Sequence, residues 1–354
     1  DPFLYLFILF IIYSLTRIGG NYKEALSIYC VLIAFLMIYV LVQDNKAISK
    51  CISFLAGCLI FFTLYGLFEM FTGIHLTETY FQDYYGTANV KMLATGIYYN
   101  ENDFSALLTV LIFYMLLSDF GKPTKWSSIC IAVFIIYCNG SNICLIGLFA
   151  FFCIYFISKS RSREQTIFRT AVFLVAFLFS MQFLVGSSSW YWRSIMYSYG
   201  IRVCEAFPLF GAGIGNYSAE MSKLGLTPDG NISTDPHCLF LELGGQFGMP
   251  WVILLFFVLI WLLAWYAKRI KRESMIYMFG LIFIIFFVGL AASSCMEKNY
   301  IYLALLIPLS YWCINKSSNR RNDTPSFVKA GRRTGTASNM IKVRFGTPYC
   351  ASKK

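Results

Sequence analysis

The chain has 354 residues, of which 58% are hydrophobic and 13% charged, with a mean hydropathy of +0.62. Soluble domains carry about a quarter of their residues as Asp, Glu, Lys and Arg, so an ordinary water-soluble domain is excluded. The formal net charge of +11 is split among short connections between apolar runs, which excludes a nucleic-acid surface as its purpose.

Apolar runs long enough to cross a bilayer core of about 30 Å recur along the chain. Candidate spans are 2–15, 25–43, 51–72, 103–118, 127–138, 142–158, 167–186, 249–267, 276–292 and 298–315. The predicted fold is all-α, a polytopic transmembrane helical bundle of about ten spans. The pair 127–138 and 142–158 reads as two spans or as a re-entrant pair broken at "NGSN". The first run is short, follows Asp1 without a Met, and lacks a basic n-region and a small-residue cleavage site. It reads as a span and not a signal peptide, with further spans expected before it.

Basic residues fall in alternate connections: Lys46 and Lys50, Lys122 and Lys125, the "KSRSR" run from Lys159, "KRIKR" from Lys268, and the tail. The positive-inside rule places these connections and both chain ends in the cytoplasm. Residues 1–316 then form the membrane domain, with outer loops at 73–102 and 187–248. The basic tail 317–354 is predicted to be disordered and attracted to anionic headgroups. No period of 20–50 residues repeats, which gives little support to a solenoid or an inverted-repeat transporter.

Most of the twelve cysteines lie in apolar runs and read as small hydrophobes. No CxxC pair or Cys/His spacing suits zinc, so no metal site is expected. Cys204, Cys238 and Cys295 fall on the outer side, where a bridge between two of them stays open.

In the long outer loop, Ile195, Met196, Tyr199 and Val203 follow helical spacing and predict an amphipathic helix on the membrane surface, ending before Pro208. At about 100° per residue, Arg193, Tyr197, Gly200 and Cys204 share one face, and Arg202 lies about 180° from Arg193. One arginine would bind substrate and the other a headgroup phosphate. "GAGIGN" (Gly211 to Asn216) follows no strand, so a dinucleotide loop is rejected. Its glycines suit a tight turn whose N–H groups face an anion.

Three ordered elements carry a family resemblance. "WRSIMYSYGIRVCEAFPLFGAGIGNY" followed by "HCLFLELGGQFGMPW" resembles the signature loop of the O-antigen ligase and O-antigen polymerase superfamily. "TGIYYNENDFSALL" (Thr95 to Leu108) is similar to that family's Gly-x-x-x-Asn-Pro-Asn element, and "NGSNICLIG" takes the place of its Ser-Arg-Gly-like element. The resemblance covers about residues 95–260. Departures are Cys238 for an Asn, Glu101 for a Pro and Asn142 for an Arg.

The resemblance implies a C-type glycosyltransferase architecture in the bacterial cytoplasmic membrane, acting at the outer face. It implies transfer of a glycan from an undecaprenyl-diphosphate carrier without nucleotide sugar, cofactor or metal. Besides the carrier-linked oligosaccharide and membrane lipids, chain-length regulators or flippases are candidate partners. Arg193 and His237 match the family's expected arginine and histidine.

These residue types suit the chemistry. A guanidinium forms bidentate, charge-assisted bonds with a departing diphosphate, the role expected of Arg193 and, second, Arg202. An imidazole takes the proton of an attacking sugar hydroxyl, the role expected of His237. On a continuous helix Glu242 would sit about 140° from His237, so a contact with sugar hydroxyls is expected of it instead. Asp235 is a further orienting group. Lys91 is a candidate phosphate ligand, and Gly211 and Gly213 would line the anion site. Asn100 and Asn102 are candidate substrate ligands; one is also expected to cap the following helix, Asn102 being favoured. His75 reads as structural or interfacial. Three functions remain open: polymerisation of lipid-linked repeat units, ligation of a finished glycan to another acceptor, and transport of lipid-linked sugars.

Overall fold

The computed structural model describes residues 2–19, 22–42, 44–76, 92–158, 160, 162–185, 188–224, 238–269, 298, 300–306 and 309–310. A compact unit covers residues 1–314. The predicted span 276–292 and the basic tail lie outside the described residues. The chain runs as α1 (Pro2–Leu15), α2 (Tyr22–Leu41), α3 (Asn45–Thr72), α4 (Glu101–Leu117), α5 (Lys122–Cys138), α6 (Asn142–Ser158), α7 (Arg163–Val185), α8 (Ser188–Ala206), α9 (Tyr217–Lys223), α10 (Leu239–Phe247) and α11 (Met249–Arg269). Residues 300–306 are helical as well. Among the described residues, the only β-type pairing is one parallel bridge between Ile18 and Ile214.

Several helices start earlier than their apolar runs, because polar caps set the start and hydropathy does not register them. Asp44 accepts the Ala47 N–H at 2.7 Å, so α3 begins at Asn45 and not at 51. Ser162 accepts the Gln165 N–H at 3.2 Å ahead of α7. Pro123 in the first turn lets α5 start at Lys122 and not at 127. Asn100 caps α4, its Oδ1 accepting the Asp103 N–H at 2.9 Å, while Glu101 and Asp103 meet the positive end of the helix dipole. Asn102, the expected cap, instead lies inside the first turn; Asn100 has the extended backbone that a cap requires (φ −134°, ψ 157°). The "NGSN" stretch is a turn between two seventeen-residue helices, with Gly140 at φ 65°.

α4 forms the centre. It is buried without a break from Asp103 to Met115 and packs against α3, α5 and α6. Such a helix needs apolar residues all round, which is why no amphipathic stripe marks it. Lys125 of α5 donates to the Leu116 and Ser118 carbonyls at 3.3 and 2.7 Å, satisfying the end of α4. Peripheral helices turn large apolar side chains outward, among them Leu41 (75% exposed) and Val175 (68%). An apolar exterior on this scale suits contact with lipid. Among the described residues, one helix, Lys46–Thr72, has the length and composition to cross a membrane; Phe3–Leu15, Ala25–Leu41, Asn142–Cys153 and Met249–Leu262 are shorter apolar helices.

The α3–α4–α5 contact is close at Gly66, where a Cβ would lie 3.0 Å from Phe104 Cε1 and 3.1 Å from Ile135 Cδ1; at Gly57 it would meet nothing within 4 Å. Gly66→Leu is expected to destabilise the protein by about 1–3 kcal/mol through overpacking. Gly57→Ala is expected to leave stability unchanged or raise it by about 0.5–1 kcal/mol through helix propensity. Thermal unfolding of the two variants in one detergent checks the contrast.

Candidate functional site

At one end of the bundle, α1 finishes beside the "PLFGAGIGNY" turn. The Tyr13 hydroxyl donates to the carbonyls of Phe247 and Phe210 at 2.8 and 3.2 Å, and Arg17 Nη2 donates to the Gly211 carbonyl at 3.0 Å. The turn's own amides are used in sequence. Gly211 donates to Phe207 (3.0 Å), Ala212 to Gly245 (2.6 Å), Gly213 to Gln246 (3.0 Å) and Ile214 to Arg17 (2.8 Å); Gly19 returns a bond to Ile214 (2.7 Å). The expectation that Gly211 and Gly213 turn their N–H groups to an anion is therefore corrected, since both donors are used within the fold. Glycine is required there for a different reason. Gly211 and Gly213 hold φ of 66° and 95°, and a Cβ on Gly211 would stand 2.3 Å from the Gln246 carbonyl carbon. The turn ties the end of α1 to the end of α10.

α8 ends at Ala206, ahead of Pro208, as its spacing predicts. Met196, Gly200, Val203 and Cys204 are buried, and α8 packs on α10 and α9. Gly200 permits the crossing, because a Cβ there would come within 3.1 Å of Leu241 and of the Tyr217 hydroxyl. Arg193 belongs to this buried face (9% exposed), whereas Arg202 is exposed on the other side of the helix. The Cys144 thiol, in the first turn of α6, lies within Coulombic range of both Arg193 and Asp103. A buried guanidinium near a helix N-terminus makes a locally positive region.

Glu242 lies in α10 and is enclosed (3% exposed). α10 begins at Leu239, so residue 237 precedes the helix and the 140° offset does not apply. His237, Asp235 and Lys91 lie outside the described residues. Cys204 and Cys238 are buried free thiols with no bridge between them; Cys295 lies outside the described residues. Burial, with smaller contributions from Cys238 and Glu205, pushes the Cys204 thiol up to about 11. Burial also raises Cys238.

A second polar cluster joins two elements that the sequence shows as separate. Asn139, in the "NGSN" turn, brackets Ala94: its Oδ1 accepts the Ala94 N–H and its Nδ2 donates to the Ala94 carbonyl, both at 2.9 Å. The same Nδ2 lies 3.1 Å from Ser105 Oγ. Beyond Asn100, Asp103 is fully buried and meets Lys298 Nζ, the Tyr300 hydroxyl and Asn100 Nδ2, each at 3.2 Å. A buried carboxylate persists only when partnered in this way. Lys298 also stands 5.6 Å from the Tyr98 ring centroid. Burial, then the Asp103 charge, raises the Tyr98 hydroxyl. Asn102 Nδ2 lies 3.5 Å from Glu101 Oε1.

Four residues of this end had no assigned role from the sequence: Glu69, Asp103, Asn139 and Lys298. For Glu69 the signal was present, a carboxylate within the apolar run 51–72. His75, read as structural, is bonded through Nδ1 to Glu69 Oε1 (3.3 Å) and Thr95 Oγ1 (3.2 Å).

No family model matches the chain. It is 22% identical over 330 residues to the teichuronic acid biosynthesis protein TuaE of Bacillus subtilis (strain 168). That alignment takes in 82% of this chain and 66% of the relative, so the chain spans 66% of that protein's length.

The packing of α8 on α10 makes a prediction for the thiols. With a pKa of about 11, Cys204 holds about one thiolate in 10³ at pH 8, and only the thiolate alkylates. Iodoacetamide at pH 8 is expected to spare Cys204 in the folded protein and to modify it after unfolding. Rapid modification of the folded chain, read by mass spectrometry, would contradict this packing.

Proposed function

We propose that the chain is a multispan membrane glycosyltransferase that polymerises undecaprenyl-diphosphate-linked oligosaccharide repeat units into a surface polysaccharide. The observation that carries the reading is Arg193: a guanidinium buried on α8, with the first turn of α6 within Coulombic range. The similarity to a teichuronic acid biosynthesis protein supports the same pathway class.

In this reading the basic connections face the cytoplasm and the α8–α10 assembly faces outward. The transfer proceeds by attack of an acceptor sugar hydroxyl on the anomeric carbon of the donor glycan. The new glycosidic C–O bond forms as the bond from that carbon to the diphosphate breaks. The hydroxyl proton passes to His237, and the negative charge gathering on the departing undecaprenyl diphosphate is met by Arg193. Donors fixed in a site shielded from water need no reorganisation as that charge develops, which is why a buried arginine suits the role better than an exposed one. Arg202, exposed on the opposite face of α8, suits headgroup phosphates.

An apolar cavity supports a lipid-carried donor. It runs from Leu239 and Leu243 of α10 along Trp251, Leu255 and Leu262 of α11, with Phe10 of α1 on the facing wall. Its lining offers an isoprenoid tail the same environment as lipid.

The test uses membranes holding the full chain and a purified lipid-linked repeat unit. The wild type is expected to produce a ladder of carrier-linked chains. Arg193→Ala is expected to lower extension about 10²–10³-fold, and His237→Ala about 10²–10⁴-fold, each with normal protein in the membrane. Glycan appearing only on a different acceptor would make the protein a ligase. Wild-type ladders from either variant would remove that residue from the reaction.

A further inference from the structure

Glu69 sits in the last turn of α3, fully buried, and three donors and the His75 ring converge on it. Oε2 accepts the backbone N–H groups of Thr95 (2.9 Å) and Gly96 (2.7 Å). Oε1 accepts the Tyr65 hydroxyl (3.0 Å) and lies 3.3 Å from His75 Nδ1. One carboxylate thus gathers the chain leaving α3 and the chain entering α4. Gly96 completes the constraint, with φ 61° and a virtual Cβ 2.3 Å from Phe104 Cδ2.

A neutral side chain suffices to hold this segment, as Asn139 shows one residue earlier at Ala94. A carboxylate is the costlier choice, since burying a charge costs several kcal/mol before its partners compensate. What the charge adds is stiffness: its hydrogen bonds are roughly twice as strong as neutral ones. The stiffened segment leads through Tyr98 to the Asn100 cap and to Asp103. Asn139 Nδ2 meets the Glu101 carbonyl (3.3 Å) and Ser105 Oγ (3.1 Å), which joins this polar edge to the turn that leads into α6, and Cys144 in the first turn of α6 lies within Coulombic range of Arg193.

We propose that Glu69 is a positioning residue of the transfer site: by holding the Thr95 and Gly96 amides, it fixes the start of α4 relative to Arg193. The inference rests on the glycosyltransferase reading above. It assigns Glu69 no contact with substrate; it acts through the 94–100 segment, and a small misplacement of a site wall is enough to slow a transfer about 10–100-fold.

The experiment compares Glu69→Gln, Glu69→Asp and Thr95→Ala, assayed as full chains for extension of a lipid-linked repeat unit and normalised to folded protein in detergent. Glu69→Gln keeps the size of the side chain but loses the charge, and turnover is expected to fall about 10–100-fold, with KM for the repeat unit within about threefold. Glu69→Asp keeps the charge and is expected to recover part of that loss. Thr95→Ala leaves both amides on the carboxylate and is expected to stay within about threefold of wild type. Wild-type turnover per folded molecule in Glu69→Gln would overturn the proposal. Loss of both Glu69 variants from the membrane would assign the carboxylate to folding alone, and would equally overturn it. Failure of the wild type to extend the glycan would instead remove the glycosyltransferase reading itself.

Discussion

Helix ends in an apolar bundle leave amides and carbonyls that water cannot reach, and each needs a partner inside the protein. Much of the architecture at the α1–α8–α10 end answers that requirement. The turn after α1 gives its Arg17 carbonyl to Ile214, the C-terminal carbonyls of α10 receive Ala212 and Gly213, and Met249 at the start of α11 donates to Pro208. One irregular segment, 207–216, therefore closes the ends of helices that lie far apart in the chain. Its glycines allow this, because the backbones approach to distances that a Cβ would prevent.

The same requirement organises the charged groups. Asp103 and Glu69 are both fully buried, yet each is surrounded by donors supplied from several segments of the chain. Their burial explains why the bundle holds together at its polar end.

The glycine-rich turn carries a caution about reading sequence as chemistry. A run of three alternate glycines invites an anion-binding interpretation, because alternating backbone conformations can present N–H groups to a phosphate. Here the Phe207 carbonyl takes the Gly211 N–H and the Gln246 carbonyl of α10 takes that of Gly213.

Composition and hydropathy were sufficient for the helical class and for most helix positions, since a long apolar run dictates a helix whatever surrounds it. Spacing alone also separated Arg193 from Arg202 and ended α8 before Pro208, because both follow from local helix geometry. Starts were missed at α3 and α7, where the capping residues are polar and lie outside the apolar runs, and at α5, where Pro123 in the first turn lets the helix begin ahead of its run. The cap of α4 was assigned to Asn102 when Asn100 has the needed backbone, a choice made by how the chain arrives from Gly96. The grip of Asn139 on Ala94, of Glu69 on Thr95 and Gly96, and of Lys298 on Asp103 joins residues that are 26 to 195 positions apart, roughly by subtraction of their numbers. No periodicity records such pairs. Local structure was written in the sequence because its forces act between near neighbours; the site was decided only when packing chose which distant polar groups must satisfy one another.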